Sequence, residues 1–142
     1  MKYGIEALLT PEPPDDYPQF IQFAQLPENI DRDFELIDGE IFEKMPGSTR
    51  DSEFSHIIAY HVRLFCHTNN LPCYTSGASG AYRVGNDVIV PDFAFKSTAM
   101  SREYPDPVPP LFAVEVVSAT TEFKYVHKKS RFTETRVSSS GC

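Results

Sequence analysis

The run Leu111-Phe-Ala-Val-Glu-Val-Val117 is apolar at every position but one. A short continuous apolar run of this kind reads as a fully buried β-strand. Glu115 interrupts it. An ionised carboxylate in such a strand loses several kcal/mol of hydration unless something positive meets it. A chain keeps such a residue most readily where it holds a metal or does chemistry. Earlier in the chain, Asp87-Val-Ile-Val-Pro-Asp92 reads as a second apolar strand, and it too ends in a carboxylate.

Size and composition set the frame for these two acids. A chain of 142 residues is one domain with room for a single core. Apolar residues make up 41% and aromatics 13%, a globular composition and not a disordered one. No apolar stretch approaches the ~18 residues of a membrane span. The first residues, Met1-Lys-Tyr-Gly-Ile-Glu-Ala-Leu-Leu, lack a signal peptide's long apolar stretch and cleavage site. The expectation is a cytoplasmic protein with no membrane partner. Cys66, Cys73 and Cys142 are an odd, scattered set that suggests neither a disulfide framework nor a zinc pattern. The net charge of −7 argues against a generic nucleic-acid coat, whose affinity rests on cationic contacts. It does not exclude an enzyme that cuts nucleic acid, because a divalent cation can bring phosphate to an acidic site.

Along the chain, residues 1–18 form an extended, proline-rich arm with Pro11, Pro13, Pro14 and Pro18. Pro18 to Leu26 predicts a short helix with Phe20, Ile21, Phe23 and Ala24 inward. Asp38-Gly39 lies between Phe34-Glu-Leu-Ile and Glu40-Ile-Phe-Glu-Lys44, a hairpin signal because both turn residues tolerate positive φ. Ser48 and Asp51 supply capping residues for a helix running to about His67. Its inward stripe is predicted as Phe54, Ile57, Ile58, His61, Val62 and Phe65, with His61 packed and hydrogen-bonded. A strand follows from Leu71 to Ser76. A second hairpin is predicted around Gly85-Asn86, and strand character resumes at Phe93-Ala-Phe95. Met100 to Pro110 reads as a surface loop. After the 111–117 strand, Ser118 to Thr121 can start a last helix carrying Lys124, Lys128 and Lys129. The domain proper spans residues 19–130, and 131–142 is a tail. The element order indicates an α+β or mixed α/β domain.

The two acids fit one chemistry. Hydrolysis of a phosphodiester needs charge stabilisation on the phosphate and an activated water. Asp92 and Glu115 are suited to ligate one Mg2+ or Mn2+ through hard oxygen donors, with the Val116 carbonyl as a third protein ligand. A lysine beside the metal-bound water would offset developing negative charge. Lys129 and Lys128 are the available lysines. Glu35 or Glu40, on the early hairpin, can supply a supporting or additional carboxylate.

These residues carry a resemblance. Phe34-Glu-Leu-Ile-Asp-Gly-Glu40, His56 on a helix, Val90-Pro-Asp92, Val114-Glu-Val-Val-Ser118 and Lys129, in that order, resemble the Uma-two family over roughly residues 19–129. That bacterial family is placed in the restriction-endonuclease-like PD-(D/E)XK superfamily. The resemblance implies a mixed β-sheet flanked by helices. It also implies Asp92 and Glu115 as metal ligands, a lysine assisting the water, DNA as substrate and a homodimer.

The chain departs from the pattern twice. The superfamily's lysine is expected two residues after the glutamate, where this chain has Val117. The family pattern supplies it instead on the next helix, at Lys129, whose flexible stem lets it enter the same site from another backbone position. The resemblance also predicts, after Lys129, a tyrosine, a Gly-Val turn and an aromatic strand, whereas this chain ends Arg131-Phe-Thr-Glu-Thr-Arg-Val-Ser-Ser-Ser-Gly-Cys142. One codon choice for Arg131 onward, read from its third base, begins Ile-Tyr-Arg-Asp-Ala-Gly-Val. The expectation is that the reading frame slipped near residue 130 and that the natural C-terminal strand is missing. The gene's nucleotide sequence tests this.

Structural readings stand beside the functional ones. Glu115 could be a strand residue reaching solvent through a gap, and Asp92 could cap a strand end. The lysines could form a solvated helix face. Phe20, Phe23, Phe34, Phe42, Phe54 and Phe65 read as core and not as a stacking platform for bases. The leading function is a Mg2+- or Mn2+-dependent endonuclease acting on DNA. Against it stand an inactive nuclease-like domain that acts by association and a hydrolase of small phosphoesters. Substituting Asp92 or Glu115 by Ala is expected to abolish cleavage and leave the fold largely intact.

Overall fold

The computed structural model describes residues 16–117 and the backbone of residues 135–138. The expected arm, the helix with Lys124, Lys128 and Lys129, and most of the tail lie outside the described residues.

Helix α1, Tyr17–Ala24, starts with Pro18 in its first turn, where a missing N–H costs nothing. Phe20 and Ala24, one turn apart, are buried, while Ile21 and Phe23 pack against the same cluster. Strands β1 (Phe34–Ile37) and β2 (Glu40–Glu43) form the expected hairpin. Both turn residues take positive φ, 52° at Asp38 and 77° at Gly39, as a two-residue hairpin loop requires.

Helix α2, Thr49–Thr68, opens on a complete capping box. The Ser48 hydroxyl accepts from the Asp51 N–H, and the Asp51 carboxylate accepts from the Ser48 N–H. Ser48→Ala is expected to cost about 1 kcal/mol, read as a lower thermal midpoint. The stripe predicted to face inward is only partly covered. Cys66 is the buried residue of this helix, whereas Ile57 and Phe65 are exposed, as are Tyr60 and Leu64. The helix rests on the sheet along a narrow line, so spacing alone overstates how much of the stripe is covered. His61 is likewise exposed, and its ring stands edge-on to Tyr60 at 5.2 Å.

The remaining strands are β3 (Tyr74–Ser76), β4 (Tyr82–Val84), β5 (Asp87–Ile89), β6 (Phe93–Lys96), β7 (Phe112–Val117) and β8 (Thr135–Ser138). They form two four-stranded sheets, in the orders β2-β1-β5-β4 and β3-β6-β7-β8. Every pairing is antiparallel except β7 with β8. In the tail, where the natural C-terminal strand was expected to be missing, the backbone of Thr135–Ser138 pairs with β7 over four residues. Thr135 and Val137 are β-branched residues that favour extended backbone.

Three further sequence readings need correction. The strand expected to run from Asp87 to Asp92 stops at Ile89. Pro91 has no N–H to continue a ladder, so the chain leaves one sheet there and enters the other at Phe93. The 111–117 strand is fully buried only at Ala113 and Val114; Leu111 is 70% exposed and Glu115 is half-buried. The 100–110 segment is no mere surface loop. Asp106 is buried within it, Lys96 donates to its carboxylate at 2.8 Å, and the N–H groups of Ser101 and Val108 donate at 3.1 and 2.9 Å.

Candidate functional site

The site is assembled where the two sheets exchange chain. Beyond Ile89 the backbone of Val90 is buried but out of the ladder, so its N–H and C=O need other partners. Side chains from the first hairpin supply them. Glu35 Oε1 accepts from the Val90 N–H at 2.7 Å, and Lys44 Nζ donates to the Val90 carbonyl at 2.6 Å. The hairpin register explains the pair. Glu35 stands opposite Phe42, and Lys44 lies two residues beyond Phe42, so all three share one face. This accounts for a fully buried glutamate in the otherwise apolar strand β1.

Asp92 follows the proline. Its N–H donates to the Val114 carbonyl at 3.0 Å, while Phe93 is the register partner of that same Val114. Two residues thus oppose one, the arrangement of a β-bulge, which turns a side chain aside at a strand end. The Asp92 carboxylate is held at both oxygens. Lys44 Nζ lies 2.9 Å from Oδ1, and the Val116 N–H donates to Oδ2 at 2.6 Å. The Lys44 and Asp92 side chains are 14% and 18% exposed, so the pair is shielded yet reachable from solvent.

The structure therefore brings Asp92 against the β7 backbone, one residue from Glu115. In an extended strand the N–H and C=O of a residue point to the same side. The Val116 carbonyl accordingly faces the side that Asp92 occupies. Oxygen donors from Asp92, Glu115 and Val116 are the chemistry that hard divalent cations prefer. Among the described residues, no three or more His, Cys, Asp or Glu side chains gather closely enough to hold a metal.

Glu40 is exposed on β2, and His56 is exposed on α2. Lys128 and Lys129 lie outside the described residues. Sequence reasoning missed Lys44. Its signal was slight: the alternation Glu40, Phe42, Lys44 marks its face, but nothing local says which strand lies alongside. An apolar hollow of about 330 Å³ beside α2 is lined by His61, Val62, Phe65, Cys66, Leu71 and Phe95 and presents no carboxylate. Cys66 and Cys73, scattered in sequence, are neighbours here; burial, and then Cys66, push the Cys73 thiol up from its ordinary value.

No curated protein matches the chain. Among solved structures, it is similar to a putative nuclease belonging to DUF820 from Anabaena variabilis, at 18% identity and a TM-score of 0.61. The match covers 77% of this chain and 63% of that one, so this chain spans less than two thirds of its neighbour's length. The shared architecture is the restriction-endonuclease-like α+β fold. A family model, Uma2, described as "Putative restriction endonuclease", matches residues 20–139, and the chain belongs to that family.

Proposed function

We propose that this chain is a Mg2+- or Mn2+-dependent endonuclease that hydrolyses phosphodiester bonds in DNA. The observation that carries the reading is the Asp92 carboxylate, placed just before β6 and fastened to the β7 backbone beside Glu115. Asp92, Glu115 and the Val116 carbonyl would hold the cation. A divalent ion bound there supplies Lewis-acid stabilisation of the phosphate and lowers the pKa of a bound water. Asp92 and Glu115 hold the negative charge that draws such an ion. Val116 fixes the angle of Asp92 by donating to Oδ2. Glu35 acts from behind: it holds Val90, which meets Lys44, which in turn meets Asp92. Lys129 remains the family pattern's lysine for the reacting water, with Lys128 beside it. Glu40 and His56 are exposed, on β2 and α2.

No helix among the described residues is long and apolar enough to cross a membrane. A cytoplasmic homodimer fits this chain. The exposed Ile57, Tyr60, Leu64 and Phe65 along α2 give a second copy an apolar face to cover. Sizing at increasing concentration should show the dimer, and Leu64→Glu should return it to monomer.

The test is plasmid nicking with Mg2+ or Mn2+, by the wild-type chain and by Glu115→Gln. Gln keeps the size of the side chain and removes its charge. We expect nicking that needs the ion and falls about 10²–10³-fold in the variant. Equal nicking by both proteins would remove Glu115 from the site. The alternative, an inactive domain acting through association, is favoured by Val117 in the lysine slot and by the exposed α2 face. It predicts no ion-dependent cleavage at all.

A further inference from the structure

We infer that Lys44 is a positioning residue whose charge presets Asp92 and sets how tightly the divalent cation binds. The inference rests on the reading of Asp92 as a metal ligand.

Lys44 comes from the hairpin sheet and Asp92 from the entrance to the other sheet, so their contact bridges the two. The ammonium has three donors. Two are engaged, one by the Val90 carbonyl at 2.6 Å and one by Asp92 Oδ1 at 2.9 Å. Asp92 is thereby oriented and compensated before any metal arrives. Each carboxylate oxygen keeps a second lone-pair site, so a cation joins Asp92 beside Lys44 or displaces it. The cation therefore either meets a positive charge already within hydrogen-bond distance of the ligand or must break that ion pair to enter. With the side chain 14% exposed, solvent screens that charge only in part. Lys44 therefore lowers metal affinity while holding the ligand in its binding geometry. A lysine that served only to tie the sheets together would do the reverse, because its loss would free Asp92 and weaken the metal site.

The two roles separate in a calorimetric Mn2+ titration of the full chain, carried out on wild type, Lys44→Met and Lys44→Arg, with metal-free thermal melts alongside. Met keeps the length and most of the packing of lysine without its charge. We expect Lys44→Met to melt lower without metal and to bind Mn2+ about tenfold tighter. Lys44→Arg should stay within about threefold of wild type, because its charge remains. If Lys44→Met does not fold, Lys44→Gln keeps a donor for the Val90 carbonyl, and tighter Mn2+ binding is again expected. Binding by wild type that is unchanged or weaker in the neutral variant overturns the role of Lys44 and leaves the metal site standing. No Mn2+ binding by wild type overturns the metal-site reading, and this inference with it.

Discussion

Asp92→Asn should lower ion-dependent DNA cleavage roughly 10³-fold, the loss expected when a charged group at the reacting phosphate is neutralised. The same change should also be felt in stability. From sequence, removing this acid was expected to leave the fold intact, because a buried charge is costly. The structure argues otherwise, because both Asp92 oxygens are engaged. An asparagine oxygen can still accept from Lys44, but the amide nitrogen then faces the Val116 N–H, donor against donor. Leaving that N–H without an acceptor costs about 1–3 kcal/mol. A urea melt measured beside the nicking assay separates the two effects. A variant that is as stable as wild type but inactive supports ligation and removes the structural role. Full activity would show that Asp92 is not a ligand.

Lys96→Met should cost about 3–5 kcal/mol, the usual penalty for removing one partner of a buried ion pair. Lys96 is 1% exposed and Asp106 5%, and their atoms meet at 2.8 Å. The lysine anchors the 100–110 segment to β6. Without it, the Asp106 carboxylate keeps only the N–H groups of Ser101 and Val108. A chemical denaturation midpoint unchanged from wild type would rule out this anchor.

The same pair makes the fold acid-sensitive. Burial raises the pKa of the Asp106 carboxyl, but the Lys96 hydrogen bond and the Ser101 and Val108 amides outweigh burial, and the net shift is downward. The unfolded chain therefore takes up this proton at a higher pH than the folded one. The stabilisation from Asp106 is complete above its ordinary carboxylate range, near pH 4. It is lost as pH falls from there through the lower folded value. Asp106→Asn should show a shallower loss of stability with acid than wild type, whatever its stability at neutral pH.

Short-range chemistry explains what could be read in advance. Asp38-Gly39 marked a hairpin because few residues take two successive positive φ values, and the structure has both. Ser48 and Asp51 marked the start of α2 because free N–H groups at a helix end need acceptors within reach. The apolar run around Glu115 marked a strand, and β7 is one, although it is fully buried only at Ala113 and Val114. Asp92 and Glu115 stood out as acids in apolar company, a contrast visible without any coordinates.

The sequence by itself thus marked most of the described elements, their order and the contrast of two acids in apolar surroundings, because each depends on neighbours a few residues away. Only the tertiary structure decided what those acids touch. It passed the chain from one sheet to the other at Pro91 and laid the hairpin beside the crossing. There Glu35 and Lys44 take over the backbone groups of Val90, and Lys44 meets a carboxylate far along the chain. Contacts of that range leave no periodicity behind, since any strand order would satisfy the same local pattern.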